Sequence, residues 1–185
     1  MALDASLVRV AVTGAVMSAP LATTAPTGTG GTTTGFVDLG YVNEDGVTIT
    51  FPEGGDSTPI KAWQNGATVR TIRAASEDNP EITFTLLETK LEVIESALGV
   101  SVTQAVSEGH FEFDTTDVRV GESWIIDVVD GAELVRVYVP KGTPTGGLEL
   151  VFKNDEPIGY NVTLDCERDA TAGYNLKVWA TALQT

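Results

Sequence analysis

Asn161-Val162-Thr163-Leu164-Asp165-Cys166-Glu167 alternates polar and apolar side chains without a break. Successive residues of a strand point to opposite faces, so Val162, Leu164 and Cys166 face a core while Asn161, Thr163, Asp165 and Glu167 face water. A slip of one residue would expose the whole apolar set, which fixes the register. Beyond a turn at Asp169 to Gly173, Tyr174, Leu176, Val178 and Ala180 continue the apolar face, and the two segments read as a hairpin.

The same alternation recurs upstream. Ile82, Phe84 and Leu86 share one face of Glu81 to Glu88, and Glu81, Thr83 and Thr85 share the other; the turn residues Ser76 to Pro80 lead into this strand as a hairpin. Glu122 to Val129 and Glu133 to Val139 form a hairpin about Asp130-Gly131, followed by a loop from Lys141 to Gly147. Ser57 to Trp63 and Ala67 to Ala75 flank Asn65-Gly66, a pair that tolerates the positive φ of a tight turn. Phe36 to Tyr41 and Val47 to Phe51 read as strands joined by the turn Asn43-Glu44-Asp45-Gly46, and Leu7 to Met17 reads as the first strand. The period changes once: Leu91, Ile94 and Leu98 recur at three and four, with Thr89 placed as N-cap and Gly99 as stop, which predicts one short helix over about 89–98. The fold class is therefore mainly β, with one flanking α-helix, in a single domain over residues 1–185.

Composition narrows the function. Acids outnumber bases 26 to 11 for a net charge of -15, the wrong sign for binding phosphate by counterion release. An acidic surface repels a polyanion and suits a conduit for one. With 42% apolar and 20% charged residues the chain has material for a core. Cys166 is the one cysteine, so no disulfide forms within the chain, and its apolar parity makes it a small core residue. Leu7 to Ala22 has a signal-like apolar run, but Asp4 and the lack of a lysine before it argue for a strand. No run approaches the length of a membrane span.

Candidates for chemistry are few. His110 is the only histidine, and no motif supplies it with a nucleophile and an orienting group. Gly28-Thr29-Gly30-Gly31 lacks the Gly-Lys-Ser/Thr ending of a phosphate loop, and Asn43 to Gly46 lacks the ligand spacing of a calcium loop. Aromatics at 7% offer little for stacking sugars, which weakens a paired-carboxylate hydrolase. No catalytic residue, cofactor site or metal site is assigned, and the chain reads as a structural protein. Trp63, Trp124 and Trp179 read as core or interface anchors.

Three segments, in order and spacing, resemble the major tail proteins of long-tailed bacteriophages of the siphophage type, particularly those infecting actinobacteria. They are Thr13-Gly14-Ala15-Val16-Met17-Ser18-Ala19-Pro20 with its continuation to Thr27; Phe36-Val37-Asp38-Leu39-Gly40-Tyr41-Val42-Asn43-Glu44-Asp45-Gly46-Val47; and Ile60-Lys61-Ala62-Trp63 through Val69-Arg70-Thr71 to Phe84-Thr85-Leu86-Leu87-Glu88-Thr89. The resemblance covers roughly the first hundred residues, and the remainder only as a β-rich pattern. It implies a β-sandwich or partial barrel flanked by a helix, similar also to the tube protein of type VI secretion. It further implies six subunits per ring, rings stacked into a tube, and no additional C-terminal immunoglobulin-like domain. The implied partners are other copies of the chain, a tape-measure protein inside during assembly, and terminator and tip proteins at the ends. Double-stranded DNA would pass through without specific binding, and assembly would take place in the host cytoplasm. Six copies at -15 would put roughly -90 on a ring before counterions. On that reading the lumen-facing candidates are Glu81, Thr83, Thr85, Asp165 and Glu167. The Gly/Thr/Pro-rich segment at about 19–35, with Thr27, Gly30, Gly31 and Thr33, is a flexible arm for contact between rings. A receptor- or carbohydrate-binding β-module of the virion is the alternative.

Overall fold

A computed structural model describes residues 8–116, 118–147 and 149–183. Among these residues the structure is mainly β with one α-helix, as expected. The alternating segment at 161–167 is β11 (Tyr160–Cys166), at the heart of an eight-stranded antiparallel sheet. On one side β11 pairs with β6 (Glu81–Leu86), and β6 pairs with β3 (Val42–Thr50) at the sheet's edge. On the other side lies β10 (Glu133–Pro144), then β9 (Glu122–Asp130), β1 (Thr13–Pro20) and the two-residue β2 (Val37–Asp38).

Two further hairpins stand apart from this sheet: β4 (Ser57–Lys61) with β5 (Thr68–Arg73), and β7 (Val102–Gln104) with β8 (Gly109–Phe111). The strand β12 (Lys177–Ala180) and a 3-10 turn at Thr181–Leu183 close the described chain.

The apolar parity of each strand builds the core. Ile82, Phe84 and Leu86 of β6, Val162, Leu164 and Cys166 of β11, Trp124 and Ile126 of β9 and Val137 and Val139 of β10 pack together under Val93, Ile94, Ala97 and Leu98 of α1 (Leu91–Leu98). The helix ends at Gly99, whose φ of 69° lets its N–H turn back to the Glu95 carbonyl. Its start differs from expectation. Thr89 does not cap it, because the Thr89 hydroxyl is hydrogen-bonded to the Tyr160 hydroxyl at 2.9 Å, and Lys90 takes the N-cap position.

A bulge in β10 bends the large sheet. Between Val139↔Trp124 and Gly142↔Glu122 the strand β10 carries one residue more than β9. Pro140, which has no N–H to give the ladder, sits at this break. Trp124 Nε1 donates to the Gly142 carbonyl at 3.1 Å, and a Cβ at Gly142 would meet the indole at 2.8 Å, so glycine alone fits. The bend divides the far edge of β10: Val135 to Tyr138 pair with β12, and Gly142 to Pro144 pair with β11.

Several boundaries differ from the sequence reading, each for a local reason. β12 pairs with β10 and not with β11, because the bend leaves the first half of β10 open to it. β10 runs on to Pro144 where a loop was expected from Lys141. Asn43 to Gly46 do not reverse the chain. They bulge from within β3, whose flanks pair with the same strand at Val42↔Leu86 and Val47↔Phe84. β5 and β6 form no hairpin, since β6 is taken on both edges by β3 and β11.

The first strand starts at Thr13 and not at Leu7, which lies outside the described residues. Its partner β9 ends at Asp130, so Val8 and Val10 lie beyond the ladder; Val12, whose N–H still donates to the Val129 carbonyl at 3.2 Å, is exposed as they are. β1 instead extends to Pro20, into the start of the segment read as an arm.

Candidate functional site

The registers of β3, β6, β11 and β10 align their polar parity into rows. Thr50, Glu81, Asp165 and Thr143 form one row, Thr48, Thr83 and Thr163 the next, and Thr85 with Asn161 a third. Four of the candidates, Glu81, Thr83, Thr85 and Asp165, are therefore brought together on one face, directly behind the core residues Ile82, Phe84, Leu164 and Cys166. Among the described residues neither Glu81 nor Asp165 has an ion-pair partner. Like charges directly opposite across strands cost a sheet a few tenths of a kcal/mol or more, about 0.2–1. Glu77 and Asp78 join this pair around a hollow of about 580 Å³. The result is a partly exposed face of hydroxyls and carboxylates without ion-pair partners, whose charge repels a passing phosphate.

Glu167 differs from the other four. It lies just past the end of β11, where Lys141 Nζ donates to it at 2.6 Å and Thr143 Oγ1 at 2.7 Å. These contacts, the lysine's first, hold its carboxyl below the usual range, and they neutralise its charge. Glu167 braces β10 against β11 and adds little to the field of the face.

The other half of this face, on β1, β9 and β10, is covered by the segment 21–36. Sequence reasoning missed what holds it there. Arg136 is buried, donating from Nε and Nη2 to the two carboxylate oxygens of Asp127 at 2.7 and 2.6 Å. Its remaining nitrogen Nη1 donates to the carbonyls of Gly28 and Gly31 at 3.1 and 2.7 Å. The fork of one arginine thus joins the sheet to the middle of the candidate arm. Phe36 packs edge-on against Tyr138 with ring centroids 6.3 Å apart. Thr27 and Gly30 remain exposed on the outside of this turn, and Gly31 and Thr33 are half-buried.

The hairpin β4–β5 is the third feature. Every residue of both strands is exposed, and Trp63 next to its tip is 96% exposed. An isolated two-stranded ribbon is marginal in water, so a surface that carries Ile60, Trp63, Val69 and Ile72 outward is built to be covered.

The remaining singled-out residues lie apart. His110 is exposed in β8. Cys166 is fully buried, and burial pushes its thiol up to about 12, so it stays protonated at neutral pH. Trp124 is core, and Trp179 is half-buried opposite Arg136 with the Lys177 ammonium 4.9 Å from its ring. Burial also raises the carboxyl of Glu122, which accepts from Ser96 Oγ at 3.0 Å. Among the described residues no helix is long and apolar enough to cross a membrane.

No curated protein is similar enough to this chain to register as a match. The profile of the phage tail tube protein family matches residues 1–181. That span takes in the whole of the large sheet, α1, the polar face and the exposed hairpin. The chain belongs to the phage tail tube protein family: it is a structural subunit of the virion tail that assembles with itself into a tube, and not an enzyme.

Proposed function

We propose that six copies close into a ring, that rings stack into the tube, and that the β3–β6–β11 face lines its bore. The observation that supports this most is the pair Glu81 and Asp165, held opposite each other on the polar face of the sheet, neither with an ion-pair partner among the described residues. A wall of this kind needs one face to pack and the other to stay wet and repel DNA. Thr83 and Thr85 complete it with hydroxyls. Glu167 is a rim residue, already paired with Lys141.

The exposed outer turn at Thr27 and Gly30, with Gly31 and Thr33 beneath it, supplies contact to a neighbouring ring. DNA passes without specific binding. A tape-measure protein fills the bore during assembly in the host cytoplasm, and terminator and tip proteins close the ends.

Reversing Glu81 and Asp165 to lysine together tests the lining. Tubes of normal length are expected, with DNA ejection slowed severalfold as phosphates gain partners on the wall. Failed assembly with the subunit still folded would place these residues at a subunit interface instead.

The exposed Trp63 is also what a carbohydrate-binding module would present. That reading predicts a persistent monomer whose melting temperature rises with a sugar ligand.

A further inference from the structure

The hairpin and a groove elsewhere on the chain are complementary in position, charge and chemistry. The polypeptide leaves β3 after Thr50, forms β4–β5, and returns to begin β6 at Glu81. Thr50, Glu81 and Asp165 are register partners, so the hairpin springs from this end of the three strands. Val42, Leu86 and Tyr160 are partners at the other end. There α1 and the small hairpin β7–β8 enclose a groove of about 910 Å³. Ile94, Val102, Phe111, Phe152 and Tyr160 supply its apolar lining, and of these Phe111 and Phe152 are 40% and 74% exposed. A six-residue strand is roughly 20 Å long, so the two features lie at opposite ends of one rigid element.

Charge separates them as well. Residues 57–73 contain Lys61, Arg70 and Arg73 and no acid, in a chain whose net charge is -15. None of the three forms an ion pair among the described residues. The groove's own cation, Lys90, is occupied by Glu88 and the Asp38 carbonyl, whereas Glu92 and Glu108 on its lining have no cation partner among the described residues. A +3 ribbon carrying a bare indole therefore faces away from an apolar groove with unpaired carboxylates.

We infer that Trp63 seats in the α1/β7–β8 groove of a second copy of this chain, with Lys61 and Arg70 beside Glu92 and Glu108. The contact is heterologous: hairpin at one end, groove at the other. A contact of that kind closes into a ring or propagates in an open stack according to its rotation; with the hairpin and the groove at opposite ends of the strands that line the bore, it runs along those strands and is the axial joint between successive rings. Burying the indole covers about 150–250 Å² of apolar surface, and it leaves the polar β3–β6–β11 face untouched. The inference rests on the tube reading of the preceding section.

Cysteines placed at Gln64, next to Trp63, and at Ser107 on the groove's rim test it without touching the indole or its apolar lining, since both positions are exposed and Cys166 is fully buried and silent. The double variant Q64C/S107C, treated with a short bifunctional maleimide, is expected to give a ladder of covalent multimers. An equal mixture of the two single variants is expected to stop at dimers. Tubes that form from the double variant without any ladder would overturn the groove assignment and leave the tube reading standing. The absence of rings and tubes from the parent chain would instead remove the tube reading and the inference with it.

W63A provides a second measure. Its side chain is 96% exposed, so the variant should melt like the parent yet lose long tubes, with W63F restoring part of their length. W63A assembling as the parent does would overturn the inference.

Discussion

Replacing Trp124 by alanine should cost about 3–5 kcal/mol, the range for deleting a large aromatic from a packed core. Trp124 is fully buried, its ring lies 5.9 Å from that of Phe84, and its Nε1 closes the bulge on the Gly142 carbonyl. The side chain joins three strands: its own, the bent β10, and β6 through Phe84. Domains of this size have about 5–15 kcal/mol in total, so the loss removes about a fifth of the stability at the least. In urea titrations of the dilute, unassembled chain the midpoint should fall by about 2 M for a slope near 2 kcal/mol/M. Trp124→Phe retains most of the volume and loses only the indole N–H, for about 1–2 kcal/mol. A W124A midpoint within 0.5 M of the parent, an estimate on the same slope, would mean that the bulge is held by something else.

Arg136→Met should be comparably damaging, about 3–5 kcal/mol, because it leaves the Asp127 carboxylate buried without its partner. The same substitution also takes the donor from the Gly28 and Gly31 carbonyls. Two readouts separate these effects. Asp127→Leu combined with Arg136→Met replaces the ion pair by apolar side chains and should recover most of the urea midpoint. It should not recover protection of the segment 21–36, which would remain open to limited proteolysis and fast amide exchange in both variants. Unchanged protection in R136M would show that Phe36 on Tyr138 is enough to hold the segment.

Much of this architecture was legible wherever alternation was strict. β6, β11 and the β9–β10 hairpin fall where the apolar parity puts them, and Gly99 ends the helix as placed. The polar parity likewise brought Glu81, Thr83, Thr85 and Asp165 to one face. What local pattern does not report is the partner. Asp169 to Gly173 signal a reversal, yet β12 pairs with β10 because the bend at Pro140 splits that strand's edge between two neighbours. Asn43 to Gly46 have turn chemistry that serves equally well for a bulge inside one strand.

The Arg136–Asp127 pair was hidden because an arginine between Val135 and Val137 reads as a solvent-facing residue. A signal was there. The hairpin about Asp130-Gly131 sets Asp127 opposite Arg136, and a matched pair amid apolar strands marks a face that something covers. Glu167 has the parity of a free carboxylate, and only the nearness of Lys141 and Thr143 across β10 shows that it is paired.

Helical reconstruction of assembled tubes decides whether the β3–β6–β11 face lines the bore, as proposed. Glu81, Thr83, Thr85 and Asp165 are expected on the inner wall, with α1 and the core it covers behind them. Tubes that carry those residues on the outer surface, or buried between subunits, would contradict it.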